Sequence, residues 1–302
     1  MIAQLNNFIG EIAALTAALL WAISSVIYSR LGLKIPPLQL NLYKGLIAIA
    51  MIVITLLIQG AAMTNVSIAT YGLLFLSGIV GIGLGDTAYF TALNSLGARR
   101  TLLLETASPP IGALLALVLI GEVLTASTWC GILITIMGIA WVISERNPLE
   151  HAGVSRQGII WGILAAIAQA TGAVISRFAL TQSEITPLAS TLIRLIGGTV
   201  IVLGLILFPT ARKTTTNTTI KWQLSGRSLG IIAIAAFGST YLGIWLQQTS
   251  LKFAPTGIAQ TFLATSPLFI LPLVALQGEK ISWRAILGAG ISLTGIALMF
   301  LR

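Results

Sequence analysis

Apolar residues along this chain fall in long unbroken runs separated by short polar or proline-marked stretches. A run such as Ile111 to Ile120 has neither the period of two of a half-buried strand nor the single apolar stripe of a soluble helix. A membrane-crossing helix needs about 20 mainly apolar residues, because a rise of about 1.5 Å per residue must cover a hydrocarbon core of about 30 Å. On that measure the pattern predicts ten helices, at 9–29, 38–59, 68–91, 101–120, 127–144, 157–179, 187–208, 228–250, 257–277 and 284–301. Pro36-Pro37, Gly60, Gly97, Pro148, Pro187, Pro209 and Pro255 lie at or near the proposed ends, where proline does not have to break a helix. The first run lacks the basic N-terminal stretch of a secretory signal, so it reads as a retained helix. Outer-membrane strands alternate apolar and polar residues, which these runs do not.

Composition removes the soluble alternative. Of 302 residues, 56% are hydrophobic and 8% charged, against roughly a quarter charged in ordinary soluble domains. The formal charge of +9 sits mostly in short connections, where Lys and Arg orient helices and meet anionic headgroups, so no nucleic-acid partner is expected. The bilayer is the expected partner instead. Cys130 stands alone inside an apolar run and reads as packing.

An internal repeat is the most informative feature. A shift of 157 residues lays Ala107-x-x-Pro110 on Ala264-x-x-Pro267, Gly121-Glu122 on Gly278-Glu279, Gly131 on Gly288 and Gly138-Ile139-Ala140 on Gly295-Ile296-Ala297. Slightly different offsets link Ser29-Arg30 to Ser176-Arg177, and Pro37-Leu38 with Lys44 to Pro187-Leu188 with Arg194. The expected organisation is an all-α integral membrane protein: a five-helix repeat over 1–148, a connecting loop at 149–156, and a second repeat over 157–302. An odd number of helices per repeat inverts the second copy, the inverted-topology plan of many secondary transporters.

These residues resemble the EamA-like branch of the drug/metabolite transporter superfamily. The resemblance is carried by Trp21 in the first helix, by the stretch Gly85-Asp86-Thr87-Ala88-Tyr89-Phe90-Thr91-Ala92-Leu93, and by a proline-bearing helix ending in Gly-Glu, present twice. It implies a basket of ten helices around a central cavity, with the fifth and tenth peripheral. It also implies a carrier that exports amino acids and other metabolites, or exchanges sugar-linked and phosphorylated compounds. The substrate is not fixed by it, and no enzyme activity or cofactor is expected.

Charges inside hydrocarbon cost about 2.5–3.5 kcal/mol each on insertion scales, so each needs an account. Asp86 and Glu105 are candidates for coupling proton movement to transport; the structural alternative is permanent pairing with Lys44 or Arg194. Lys44 and Arg194, at matching repeat positions, are candidates for attracting an anionic group, or else they snorkel to the headgroups. Pro109-Pro110 and Pro267 with Pro272 interrupt two equivalent helices, the pattern that points to a transporter's binding site. Trp21, Tyr89, Tyr241, Trp245, Gln248 and Gln260 complete the cavity candidates, with Trp21 and Trp245 alternatively lipid-facing.

Gly81-Ile82-Gly83-Leu84-Gly85 is not a phosphate loop, since no strand precedes it and no Lys-Ser/Thr follows. His151 has no metal partner at suitable spacing. No ATP-binding motif is present, so the driving force is expected from gradients or a separate subunit. The rival functions are a passive channel or facilitator and a lipid-carrier flippase. The basic residues of the 30–37, 92–100, 145–156, 209–227 and 278–284 connections place those loops in the cytoplasm and both termini outside an inner (plasma) membrane. Most members of the family it resembles are taken to have both termini inside. Two repeats in one chain make a monomer sufficient, and a homodimer through peripheral helices is compatible.

Overall fold

The computed structural model describes residues 8–31, 35–60, 66–96, 98–143, 155–207, 224–269, 272 and 282–300. Those residues form helices α1 (Ile9–Leu31), α2 (Pro37–Gln59), α3 (Ile68–Leu96), α4 (Ala98–Glu105), α5 (Ser108–Ile120), α6 (Ala126–Ile143), α7 (Arg156–Thr181), α8 (Pro187–Leu207), α9 (Gly226–Phe253), α10 (Thr256–Leu263) and α11 (Trp283–Phe300). Eight helical runs, with α4 and α5 forming one of them, are long and apolar enough to cross a membrane. α11 is a shorter apolar helix. The protein is thus a multi-pass membrane protein.

Helix ends follow local chemistry. Ser67, Ser155 and Ser225 each accept a hydrogen bond, at 3.2 Å, from the backbone N–H three residues on, which satisfies a donor that the helix leaves free. Gly121 closes α5 at φ 70°, in the left-handed region where only glycine is unstrained.

Three spans depart from simple helices. The fourth predicted segment breaks at Thr106-Ala107, and α5 restarts at Ser108. Pro109 and Pro110 therefore stand in the first turn of a new helix, where their missing N–H costs nothing. The ninth predicted segment likewise breaks, at 264–265, and the backbone is helical again at 266–269; much of its remainder lies outside the described residues. α3 and α9 each contain a π-helical stretch, Ile79–Gly85 and Phe237–Leu242. At the repeat offset the first falls on the second to within one residue.

Successive crossings put the ends of α1 and α3 and the starts of α2, α4, α7 and α9 on one face, and the end of α9 on the other. Let the first face be the one where α1 ends and α2 begins. There Gly158 of α7 abuts Leu96 of α3. On the second face Gly10 of α1 lies against Ala254, after α9.

Glycines set the closest approaches. A Cβ on Gly78 would collide with the Arg194 carbonyl, and one on Gly197 with the Phe75 carbonyl, so α3 and α8 cross backbone to backbone. Gly172 of α7 brings that helix close to Gly81 as well. These crossings deliver Asp86, Gln169 and Arg194 to one region. α6 and α11 pack mainly on each other, with Gly131 meeting Gly295 and Gly138 meeting Gly288.

Candidate functional site

A cavity of about 200 Å³ lies among the helices, and every helix except α6 and α11 contributes to its lining. Its first-half residues sit toward the first face, Ser24 to Tyr28 near the end of α1, Asp86 to Leu93 in the last part of α3, and Leu102 to Pro109 early in the fourth span, while Arg194, Ile244, Gln247 and Gln260 reach past the middle.

The π segments shape two of its walls. A π turn widens the helix and frees carbonyls that need partners. Asn41 of α2 donates to the Ile82 carbonyl at 3.0 Å and to Thr87 Oγ1 at 3.2 Å, while Thr87 donates to the Gly83 carbonyl at 2.6 Å. In α9 the corresponding service comes from α1. Trp21 Nε1 donates to the Ser239 carbonyl at 2.8 Å, Ser24 donates to the Ala235 carbonyl at 3.3 Å, and the Tyr28 and Ser239 hydroxyls lie 3.0 Å apart. The same indole lies against Gly243, and a Cβ there would collide with it.

Asp86 follows the first π segment directly and forms an ion pair with Lys44. Gln169 Nε2 donates to its other oxygen at 3.0 Å. Lys44 also lies 5.1 Å over the Phe90 ring, which meets Tyr28 and Tyr89 edge-on at 5.9 and 5.6 Å. Arg194 is different. It is 1% exposed, its Nη1 donates to Gln247 Oε1 at 3.3 Å, and its Nε has no partner among the described residues. No carboxylate among them lies within 4.0 Å of it. Glu105 Oε1 is likewise buried without a partner.

Of the residues singled out from sequence, Trp21, Lys44, Asp86, Tyr89, Glu105, Arg194, Gln260 and Pro267 line the cavity. Pro110 lies outside the lining, and its neighbour Pro109 is inside. Tyr241 and Trp245 turn away. Tyr241 stacks on Phe237 at 5.5 Å and meets the Thr55 hydroxyl at 2.8 Å, and both rings pack on the apolar cluster around Ile52 and Leu195. Gln248 is fully buried against α8, where Ser190 Oγ donates to it at 3.4 Å. The residues that replace them are Thr240, Ile244 and Gln247, one helical face over. Tyr28 and Gln169 were also missed. Gln169 carried the better signal, an amide among alanines in Ala165-Ala166-Ile167-Ala168-Gln169-Ala170.

On the second face a separate ion pair closes the structure. Arg177 Nε meets Glu122 Oε1 at 2.6 Å, and its Nη1 donates to the Leu251 and Lys252 carbonyls at 2.7 and 2.8 Å. Glu122 Oε2 accepts the Thr256 N–H at 2.8 Å, and Lys252 reaches the Ile185 carbonyl at 2.7 Å. These bonds tie the ends of the fourth span, α7 and α9 to the start of α10, above an apolar cluster that includes Leu180, Ile185, Leu251 and Ala259. Among the described residues, no group of three or more His, Cys, Asp or Glu converges to hold a metal ion.

No curated protein matches this chain. A solved structure, "Crystal structure of protein", has the same fold, with a TM-score of 0.76, 18% identity, and coverage of 97% of this chain and 96% of its own. The model of the EamA-like transporter family matches twice, over residues 8–144 and 156–301. Between them the two matches take in nearly the whole chain, and the chain belongs to the EamA-like transporter family.

Proposed function

We propose that this protein is a secondary carrier that moves small metabolites, amino acids or related compounds, by alternating access around the cavity. The observation that carries the reading is the cavity itself: helices of both halves line it, and α6 and α11 stand outside it. Its first-half lining reaches toward one face while the Arg177–Glu122 pair and an apolar cluster bridge helix ends at the other, the asymmetry that a carrier caught in one state would have.

The ten-helix, inverted-repeat plan, with halves at 1–148 and 157–302 around the 149–156 loop, belongs to the same proposal. It is supported by the matching positions of the two π segments and by the way α6 meets α11. Gly131 meets the repeat mate of Gly138, and Gly138 meets the repeat mate of Gly131, as a two-fold exchange of antiparallel helices requires. A monomer then suffices. The charge bias of the connections places the first face in the cytoplasm of an inner (plasma) membrane, with both termini outside. Asp86 and Glu105 are the residues through which a proton gradient would act.

Counterflow in proteoliposomes tests the carrier reading, using labelled amino acids, organic anions and amines with and without a pH gradient. Saturable counterflow of one class is expected. Non-saturable flux without counterflow would instead identify a channel, and lipid scrambling or flipping without solute flux would identify a flippase.

A further inference from the structure

Each π segment leaves a backbone carbonyl that a side chain from another helix fills. In α9 the Gly243 N–H donates to the Gly238 carbonyl, one residue further back than an α-helix would take it. The acceptor it passes over, the Ser239 carbonyl, takes the Trp21 indole N–H at 2.8 Å instead. In α3 the Ile82 carbonyl, repeat mate of Ser239, is the one that the Asp86 N–H would take in an α-helix, and it accepts from the Asn41 amide at 3.0 Å. The two donors differ in what can reach them. Asn41 is also held by Thr87, at 3.2 Å, and lies outside the cavity lining, whereas Trp21 is part of that lining.

We infer that Trp21 is the positioning residue through which an occupied cavity acts on the second face: its N–H holds α9 in the π register, and its departure turns the rest of that helix. This rests on the carrier reading above and names the element that moves. When a solute draws the indole off the Ser239 carbonyl, the Gly243 N–H takes that carbonyl and the bulge of one residue is lost. Residues 243–253 then turn by about 100° and shift by about 1.5 Å. The exchange costs the backbone no hydrogen bond. The places of Ile244 and Gln247 in the lining pass to Gly243 and Leu246, and Arg194 gives up the Gln247 oxygen to which it donates at 3.3 Å. At the far end of α9 the same turn withdraws the Leu251 and Lys252 carbonyls from Arg177, which now holds them at 2.7 and 2.8 Å. The Arg177–Glu122 pair thereby loses its grip on α9. One helix with two registers, biased at Trp21 and anchored at Arg177, is a physical link between the cavity and the closure.

The test uses the full chain in proteoliposomes, in a Cys130→Ala background. Gln247→Cys and Leu246→Cys report the register of α9 by their labelling with a small thiol reagent. Ala259→Cys reports the second face by labelling with an impermeant one. With Trp21 in place, position 247 is expected to label faster than position 246. Trp21→Phe keeps a ring and removes the N–H; it is expected to shift that ratio toward 246 about tenfold, the value of one hydrogen bond, and to raise labelling at 259 by a similar factor. Gly243→Ala should do the same, since its Cβ would collide with the indole nitrogen and push the ring aside. The double variant should add nothing to either single, because both act on one bond. Melting of the purified variants guards against loss of fold. An unchanged 246–247 ratio in folded Trp21→Phe and Gly243→Ala would overturn the inference, and so would a changed ratio with no response at 259. The labelling needs no transported solute, so the two readings fail separately. Unchanged labelling beside saturable counterflow removes only the role of Trp21, and the register exchange without counterflow of any probe removes the carrier reading while leaving Trp21 in control of α9.

Discussion

Thr135 and Ser292 hydrogen-bond to each other's carbonyl oxygens, Thr135 Oγ1 to Ser292 O at 3.4 Å and Ser292 Oγ to Thr135 O at 3.2 Å. They are repeat mates, 157 residues apart, and they stand where α6 crosses α11. Polar contacts of this kind hold membrane helices together where there is no hydrophobic force between them and lipid. Either side of the crossing the glycines let the backbones meet.

That crossing should be intolerant of volume. A Cβ on Gly138 would lie 2.5 Å from the Gly288 carbonyl and the Ser292 nitrogen, both backbone atoms that cannot swing aside. Gly138→Leu is expected to destabilise by about 1–3 kcal/mol or more through overpacking. The readout is a lower melting temperature in detergent, with KM of the surviving protein unchanged because α6 lines no part of the cavity.

The Lys44–Asp86 pair should show strong coupling. Both side chains are largely buried, 8% and 15% exposed. Removing either alone, as Lys44→Met or Asp86→Asn, leaves a polar or charged group without its partner and should cost about 3–5 kcal/mol. The double variant should be less damaged than the sum of the two singles, and denaturant unfolding of all four proteins measures the coupling.

Breaking the closure of the second face should change access rather than binding. Glu122→Gln weakens the bond to Arg177 while leaving Arg177 on the Leu251 and Lys252 carbonyls. Ala259, the site for a cysteine in a Cys130→Ala background, is fully buried in the apolar cluster with Leu251. Its labelling by an impermeant thiol reagent from the second face should rise about tenfold in Glu122→Gln, corresponding to about 1.4 kcal/mol. Unchanged labelling would mean that the apolar cluster alone keeps that face shut.

Orientation has its own readout. A single cysteine introduced in the basic 209–227 stretch should react with impermeant reagent only after the cytoplasmic side is exposed. Labelling of intact cells at that position would reverse the assignment of both faces.

The helical runs were legible because continuous apolar stretches and flanking prolines leave few alternatives. Their interruptions were less so. Pro109-Pro110 reads as a mid-helix break, yet proline at a first turn marks the start of the second piece, two residues after the break at Thr106-Ala107. The π segments have no hydropathy signature, and each shifts the face presented downstream. That is why Gln247 rather than Gln248, and Ile244 rather than Trp245, reach the cavity. Within α9, a phase error of one residue turns a side chain by about 100°. The charges in the cavity were all visible as intramembrane charges. Sequence left Lys44 and Arg194 as alternative partners for the two carboxylates; that Lys44 takes Asp86 follows from packing across two helices that the sequence does not spell out.

The indole of Trp21 has a consequence for charge. Gly243 occupies, in the second half, the position that Asp86 occupies in the first, directly after the π segment. No side chain fits there, since the indole fills the space a Cβ would need. Trp21 therefore enforces an inequality between two halves built on one plan: the first half carries its own counter-ion, and the second is barred from growing one at that site.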